Sequence, residues 1–252
     1  MKYGAIVSAR MTSTRLPGKS MMDIMGKPIV ERVVDRIKRS KTIDGVVIAT
    51  TTNENDNPIA LLAGKIGVGL YRGSEEDVLL RLVLAAKRYG VDNIVRITGD
   101  CPLIDFDIID RTIRLYEETK ADYACNDSHI PSFYRPSYPR GLDVEVFSTR
   151  LLEAISKLDI DAFHREHVTL YIYENPQKYK ISVTTAKPVE YYPELRVCVD
   201  EEADLKFVRR VYEELYPANP DFLTRDIIAL VRKKPDLMNI NMIVKQKRVR
   251  EK

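Results

Sequence analysis

A chain of 252 residues, 44% hydrophobic and 31% charged, has the material for one α/β domain with a substantial core. Its formal charge of only +3 gives no global basic field, so nucleic acid is not an expected partner. Three scattered cysteines without a CxxC pair suit a reducing cytoplasm and argue against zinc, and no signal peptide or apolar run of ~18 residues points to export or a membrane span.

Residues 5–7 form a short apolar run that reads as a buried strand of a parallel sheet. A loop follows at once, with small residues (Ser8, Ala9), hydroxyls (Thr12, Ser13, Thr14), the cations Arg10, Arg15 and Lys19, and a Pro17-Gly18 turn. Small residues let backbone come close to a ligand, and backbone N–H groups and hydroxyls donate to phosphate oxygens. Arg offers phosphate a planar fork and Lys a mobile point charge. Solvated surface charges are the competing reading. Neither a Walker A loop nor GxGxxG is present.

Pro28 suits the first position of a helix whose buried face is Ile29, Val30, Val33, Val34 and Ile37. Residues 45–50 read as a second strand, Asn57-Pro58 opens another helix, and 68–71 is a third strand. Arg72-Gly73-Ser74 and the acidic Glu75, Glu76 and Asp77 then lead into a helix with Val78, Leu79, Leu82, Val83 and Ala86 inside. Residues 94–98 are a fourth strand, ending in Thr98-Gly99-Asp100-Cys101-Pro102, and 105–120 is helical. This β-α-β-α rhythm means a mostly parallel sheet with helices on both faces.

From residue 122 the rhythm changes. Residues 128–140 are a Pro- and Tyr-rich loop or arm, and 142–147 alternates as a strand. A short helix starts at Ser148 or Thr149, a longer one covers 161–174, and 179–185 and 195–199 are strands. Helices over 201–215 and 223–233 close the chain, and 245–252 is a basic, frayed tail. We expect a single domain over 1–252, with 128–190 as an inserted arm.

Asp100 and Asp200 each end an apolar run. Strand ends of a parallel sheet meet at its carboxyl edge, where ligands bind, and two carboxylates there can hold Mg²⁺. The alternatives are a helix N-cap for Asp200 and a turn aspartate for Asp100.

The stretch SARMTSTRLPGKSMMDIMGKPIVERVVDRI resembles the signature loop of sugar-nucleotide cytidylyltransferases. It is most similar to the spore-coat-polysaccharide branch, relatives of the CMP-sialate and CMP-KDO synthetases. The resemblance implies a three-layer, Rossmann-like nucleotidyltransferase fold, CTP and a small-molecule acceptor as substrates, Mg²⁺ as cofactor, and a homodimer. RITGDCPLID and VCVDEEADL look like the segments in which these relatives place metal-binding aspartates, here Asp100 and Asp200. Arg10, Arg15 and Lys19 would face the triphosphate and, with Asp100, carry catalysis, with Ser13 and Gly99 beside them. Ala9, Arg72, Ser74 and Thr98 would hold the base and ribose, on the resemblance of YRGSEEDVLLR. The acceptor side would come from PRGLDVEVFS and FHREHVTLYIYENP, through Arg140, Asp143, Glu145, His164, Arg165, Glu166 and His167. His164 and His167 are spaced to share a helix face, but no third ligand of matching spacing follows, which disfavours a metal there. A subunit contact is the competing reading of this region.

The expected activity is transfer of CMP from CTP to a sugar or a small acidic or phosphorylated acceptor. A glycosyltransferase on the same sheet, or a non-catalytic nucleotide-binding partner in a polysaccharide pathway, are the alternatives. The concentration of cations at one loop favours triphosphate chemistry.

Overall fold

In the computed structural model the described residues are 1–126 and 136–245. Most of the arm expected over 128–140, and the tail beyond Lys245, lie outside them.

Seven strands form one sheet: β1 (Tyr3–Ser8), β4 (Gly45–Thr51), β5 (Gly69–Gly73), β6 (Asn93–Thr98), β7 (Tyr123–Cys125), β8 (Glu145–Ser148) and β9 (Ile181–Val183). The two-residue strands β2 (Asp23–Ile24) and β3 (Lys27–Pro28) make a separate hairpin. The order across the sheet is β5-β4-β1-β6-β8-β7-β9. β1 is central and runs parallel to β4 and β6, with Ser8 opposite both Ala49 and Thr98. β8 is antiparallel to both its neighbours.

The apolar run of β1 is explained by burial on both faces. Successive strand residues point to opposite sides. Ala5 and Val7 enter one core cluster and Ile6 the other. The first cluster is covered by α1 (Ile29–Ile37), α2 (Asn57–Lys65), α4 (Phe106–Thr119), α8 (Glu202–Leu215) and α9 (Thr224–Lys233). The second is covered by α3 (Val78–Arg88), α5 (Thr149–Ser156) and the short α6 (Ala162–Glu166) and α7 (Leu170–Tyr173). Side-chain caps start several of these helices: Asp77 accepts from Leu80, Asp105 from Asp107 and Ile108, and Ser148 from Leu151. Among the described residues no helix is long and apolar enough to cross a membrane.

Three expectations are corrected. The helix expected over 161–174 is broken into α6 and α7, because Val168 takes a positive φ of 51°. That conformation is costly for a β-branched residue. Core burial of Val168 and a 2.5 Å hydrogen bond from the Thr169 hydroxyl to Glu145 hold it in place. Residues 195–199 are not a sheet strand. They make a single parallel bridge, Arg140 to Arg196, and Val199 then donates to the Asp100 carbonyl at 2.8 Å. Pro28 caps α1 and ends the small hairpin, with the helix itself beginning at Ile29.

Candidate active site

The loop after β1 is held at both ends. Asp56, fully buried, accepts hydrogen bonds from the Met11 amide (2.7 Å), the Thr50 hydroxyl (2.9 Å) and the Thr51 amide (3.0 Å). Burial opposes its charge, but the hydrogen bonds from Thr51, Met11 and Thr50 outweigh it and hold the carboxyl below its usual range. At the far end Gly18 takes φ +75° and donates to the Met11 carbonyl at 2.8 Å, closing the loop and turning the chain into Lys19.

The end of β6 presses against the same loop. The Gly99 amide donates to the Ser8 carbonyl at 2.8 Å, and a Cβ at Gly99 would lie 2.8 Å from that oxygen and 2.9 Å from the Ala9 Cβ. Only glycine fits between the two strand ends. Asp100 therefore emerges directly beside the loop. Asp200 reaches it from the other side, and Asp204 sets its position. That carboxylate is fully buried and accepts from the backbone amides of Asp200 (2.9 Å) and Glu201 (3.1 Å) and from Arg196 Nε (2.9 Å).

Lys19 Nζ sits where the two aspartates converge, 2.7 Å from Asp100, 3.0 Å from Asp200 and 2.8 Å from the Val199 carbonyl. Burial works against its charge, while Asp100 and Asp200 more than compensate and raise its pKa. Burial likewise disfavours the Asp200 carboxylate, but Lys19, Arg15 and Arg196 lower its pKa overall. Arg15 pairs with Asp200 at 2.8 Å and Arg10 with Glu75 at 3.2 Å. Each loop cation thus has a carboxylate partner in this structure.

These groups surround a cleft of about 400 Å³. The expected residues Ala9, Arg10, Ser13, Arg15, Lys19, Thr98, Gly99, Asp100, Asp200 and His167 all line it. Glu166 stands beside His167 on the wall formed by α6. Burial pushes the His167 imidazole pKa down. Three side-chain atoms of the lining are buried without a hydrogen-bond partner: Ser8 Oγ, Arg15 Nη1 and Arg81 Nε.

Other expected residues are engaged elsewhere. Arg72 binds the Thr51 and Asn53 carbonyls and Asn57, at 2.7–2.8 Å, bracing the turn after β4. The Ser74 hydroxyl accepts from the Asp77 amide at 3.0 Å. Glu145 is interior: it pairs with Arg96 and accepts from Tyr123 (2.7 Å) and Thr169 (2.5 Å), so its carboxylate is engaged within the core. His164 lies between Asp161 (2.6 Å) and Glu174 (2.9 Å). Arg165 ties α6 to the N-cap of α3 through Asp77 at 2.7 Å. Arg140 forms the backbone bridge to Arg196, and neither it nor Asp143 lines the cleft.

Sequence reasoning missed Arg81, which is 3% exposed and lines the cleft. Its signal was a cation on the apolar stripe of α3, three residues after Val78 and adjacent to Leu82. Asp56 and Asp204 were missed because buried acids that hold backbone amides carry no local motif.

A family model described as cytidylyltransferase matches residues 4–225. The chain is 37% identical over 253 residues to the uncharacterized protein MJ1063 of Methanocaldococcus jannaschii, covering 100% of this chain and 99% of that one. It is 31% identical over 236 residues to the spore coat polysaccharide biosynthesis protein SpsF of Bacillus subtilis, covering 92% and 94%. The structure of a cytidylyltransferase from Leptospira borgpetersenii superposes with a TM-score of 0.86 at 32% identity, covering 98% and 99%.

Proposed function

The chain belongs to the cytidylyltransferase family, and we propose that its cleft transfers CMP from CTP to a small acceptor, releasing pyrophosphate. One observation carries this reading. Three cations of one loop and two aspartates from opposite sides converge on a cleft, and some of the residues lining it carry buried polar atoms without a hydrogen-bond partner. Unsatisfied buried groups are rare and costly, and here they mark where a polar ligand belongs. CMP:2-keto-3-deoxy-manno-octonic acid synthetase, whose structure is complexed with CTP, shares the fold with a TM-score of 0.63 at 19% identity.

The residues present also fit a divalent cation. Two carboxylates and a carbonyl converge on one positive centre, the Lys19 ammonium. Mg²⁺ favours such a site, with few protein oxygens and the remainder from phosphates and water. Rv0371c of Mycobacterium tuberculosis, which has this fold with a TM-score of 0.56 at 13% identity, is known in complex with manganese. Asp100 and Asp200 would hold the metal, which when bound supplies charge neutralisation at the phosphates.

In this reading Arg10 and Arg15 turn their guanidinium forks to the triphosphate, and Lys19 adds a charge close to the bond that breaks. An acceptor oxygen forms the new bond to Pα in line, and any hydroxyl proton it carried passes to water. The Pα–O bond to the β-phosphate breaks, and its electron pair leaves with pyrophosphate. Little covalent work falls on the protein, so orientation and fixed charge dominate. Glu166 and His167 face the cleft from α6 and are the polar groups proposed for the acceptor. A neutral His167 can donate one hydrogen bond and accept another. The acceptor class proposed is a sugar or a small acidic or phosphorylated molecule.

Incubation of CTP and Mg²⁺ with a panel of sugar acids, sugar phosphates and polyols, followed by ³¹P NMR, tests this reading. A new CMP-linked resonance with matching pyrophosphate is expected for one class. CTP bound without turnover across every class would refute transfer and favour a binding role.

A further inference from the structure

Among the described residues three non-glycines take a positive φ: Met25, Lys120 and Val168. Met25 stands beside Gly26 in the tight turn between β2 and β3, and Lys120 caps the end of α4, both ordinary places for left-handed backbone. Val168 differs. It is β-branched, its φ is 51°, and the Thr169 amide donates across it to the His167 carbonyl at 2.6 Å. A bond of that span over a positive φ is the strained form of the γ-turn. A plain connection between two short helices would place glycine or asparagine there. Residues held in such conformations persist only where the surroundings force them, and they cluster at functional sites.

Two anchors force this one. The Val168 side chain is fully buried in the second core cluster, and the Thr169 hydroxyl donates to Glu145 at 2.5 Å. Glu145 is itself fixed: it pairs with Arg96, its cross-strand neighbour between β8 and β6, and accepts from Tyr123 at 2.7 Å. Burial opposes its charge, but Arg96, Thr169 and Tyr123 together lower its pKa, so it stays an ionised acceptor for the hydroxyl. Immediately before the turn is His167, which lines the cleft with Glu166. α6 has only five residues and cannot hold its own end rigidly. Asp161 caps its start and Arg165 ties it to Asp77, while its end depends on the turn.

We propose that Thr169, held by Glu145, is a positioning residue for the acceptor: through the strained turn at Val168 it sets the His167 imidazole against the cleft. The turn takes the chain from the cleft wall into the core within two residues, so the imidazole cannot drift outward without pulling Thr169 off Glu145. The Phe163 ring, with its centre 4.4 Å from that of His167, packs against the imidazole from within α6. This inference rests on the acceptor role proposed for His167 and names what fixes that residue.

The test compares Thr169→Val, which keeps the shape and removes the hydroxyl, with Thr169→Ser, which keeps the hydroxyl, and Val168→Gly, which removes the strain and the buried anchor. Imidazole ¹⁵N NMR follows His167, assigned by the signal lost in His167→Gln. In the wild type its titration midpoint is expected below the ordinary value near ~6.5, because burial lowers it; Glu166 opposes this, and Arg96 and His164 reinforce it. Thr169→Val and Val168→Gly are expected to free the ring and bring the midpoint back up towards that value, and Thr169→Ser to leave it in place. Pyrophosphate release from CTP with the panel of sugar acids, sugar phosphates and polyols gives the second readout. For the panel member turned over, Thr169→Val should lower kcat/KM for the acceptor by about 10- to 100-fold while KM for CTP stays within about two-fold of wild type. Thr169→Ser should stay within about three-fold on both. An unmoved His167 titration in a folded Thr169→Val protein, or Thr169→Ser behaving like Thr169→Val, would overturn the proposal. So would equal losses for CTP and acceptor, or a freed His167 with unchanged acceptor kinetics. If Thr169→Val does not fold, Val168→Gly carries the same comparison. No turnover with any panel member refutes the transfer reading alone, because the NMR comparison needs no acceptor and still decides whether Thr169 positions His167.

Discussion

Replacing Lys19 with Met separates the two tasks that meet at its ammonium. The substitution keeps an unbranched stem and removes a charge held 2.7 Å from Asp100 and 3.0 Å from Asp200. Breaking a buried ion pair costs about 3–5 kcal/mol. Here Arg15 and Arg196 still neutralise Asp200, and Asp100 retains contact with solvent, so a loss of about 2 kcal/mol in stability is expected. Lys19 also supports the lowered pKa of Asp200. A depressed carboxylate contributes stability above its unfolded value near ~3.9 and loses it as pH falls through the folded value. Acid unfolding of Lys19→Met should therefore begin at a higher pH. Metal binding should move in the opposite direction to stability. A divalent cation entering the wild-type site must displace Lys19, and in the variant it need not. Removing a competitor worth about 1–2 kcal/mol should tighten Mn²⁺ binding without nucleotide by about 5- to 30-fold. Pyrophosphate release should still fall by at least ~10²-fold, because the charge acts as the leaving group departs. Titration followed by the paramagnetic resonance of free Mn²⁺ reads the first quantity, and a coupled phosphate assay the second. Unchanged or weaker Mn²⁺ binding, or turnover close to wild type, would refute the placement of Lys19 between cation and phosphate.

Asp100→Asn and Asp200→Asn should each leave a folded protein with pyrophosphate release down by ~10²-fold or more, and near-normal Mg²⁺-dependent rates in both would exclude them as metal ligands. Gly99→Ala forces a methyl within 2.8 Å of the Ser8 carbonyl, so chemical denaturation should show a loss of about 1–3 kcal/mol, accompanied by weaker CTP binding. An unperturbed stability would mean that the two strand ends part easily. For His164, burial opposes the charge, but hydrogen bonds with Glu174 and Asp161 outweigh it and raise the pKa. Its stabilisation is complete below the unfolded value near ~6.5 and is lost as pH rises through the folded one. His164→Gln should flatten the dependence of Tm on pH across that window, by no more than about 1 kcal/mol, and an identical profile would mean that the pair contributes nothing.

The fold was legible where burial on both faces left a continuous apolar run, as in β1 and β4, and where a side-chain cap announced a helix, as at Ser148. It was illegible where tertiary contacts override local pattern. Residues 195–199 carry a strand's composition but find only one bridging partner, Arg140, and then a loop. The 161–174 segment has helical periodicity, yet Val168 breaks it so that Thr169 can reach Glu145. At the site, the β1 loop and Asp100 could be read because strand ends of a parallel sheet must meet, whereas Asp200, read as a strand end, reaches the cleft from a loop whose amide Asp204 holds. Arg72 and Glu145 resembled ligand residues in sequence, but the structure engages each with protein partners. Arg81 remained hidden because a cation on an apolar stripe reads as an exposed residue until the cleft behind it is seen.

The most direct measurement is pyrophosphate release from each of the four ribonucleoside triphosphates, with Mg²⁺ and an acceptor panel. Acceptor-dependent release from CTP, far above that from UTP, ATP or GTP and abolished by chelation, is the expected result. Equal use of UTP, preference for a purine nucleotide, or no release from any triphosphate would contradict cytidylyl transfer at this cleft.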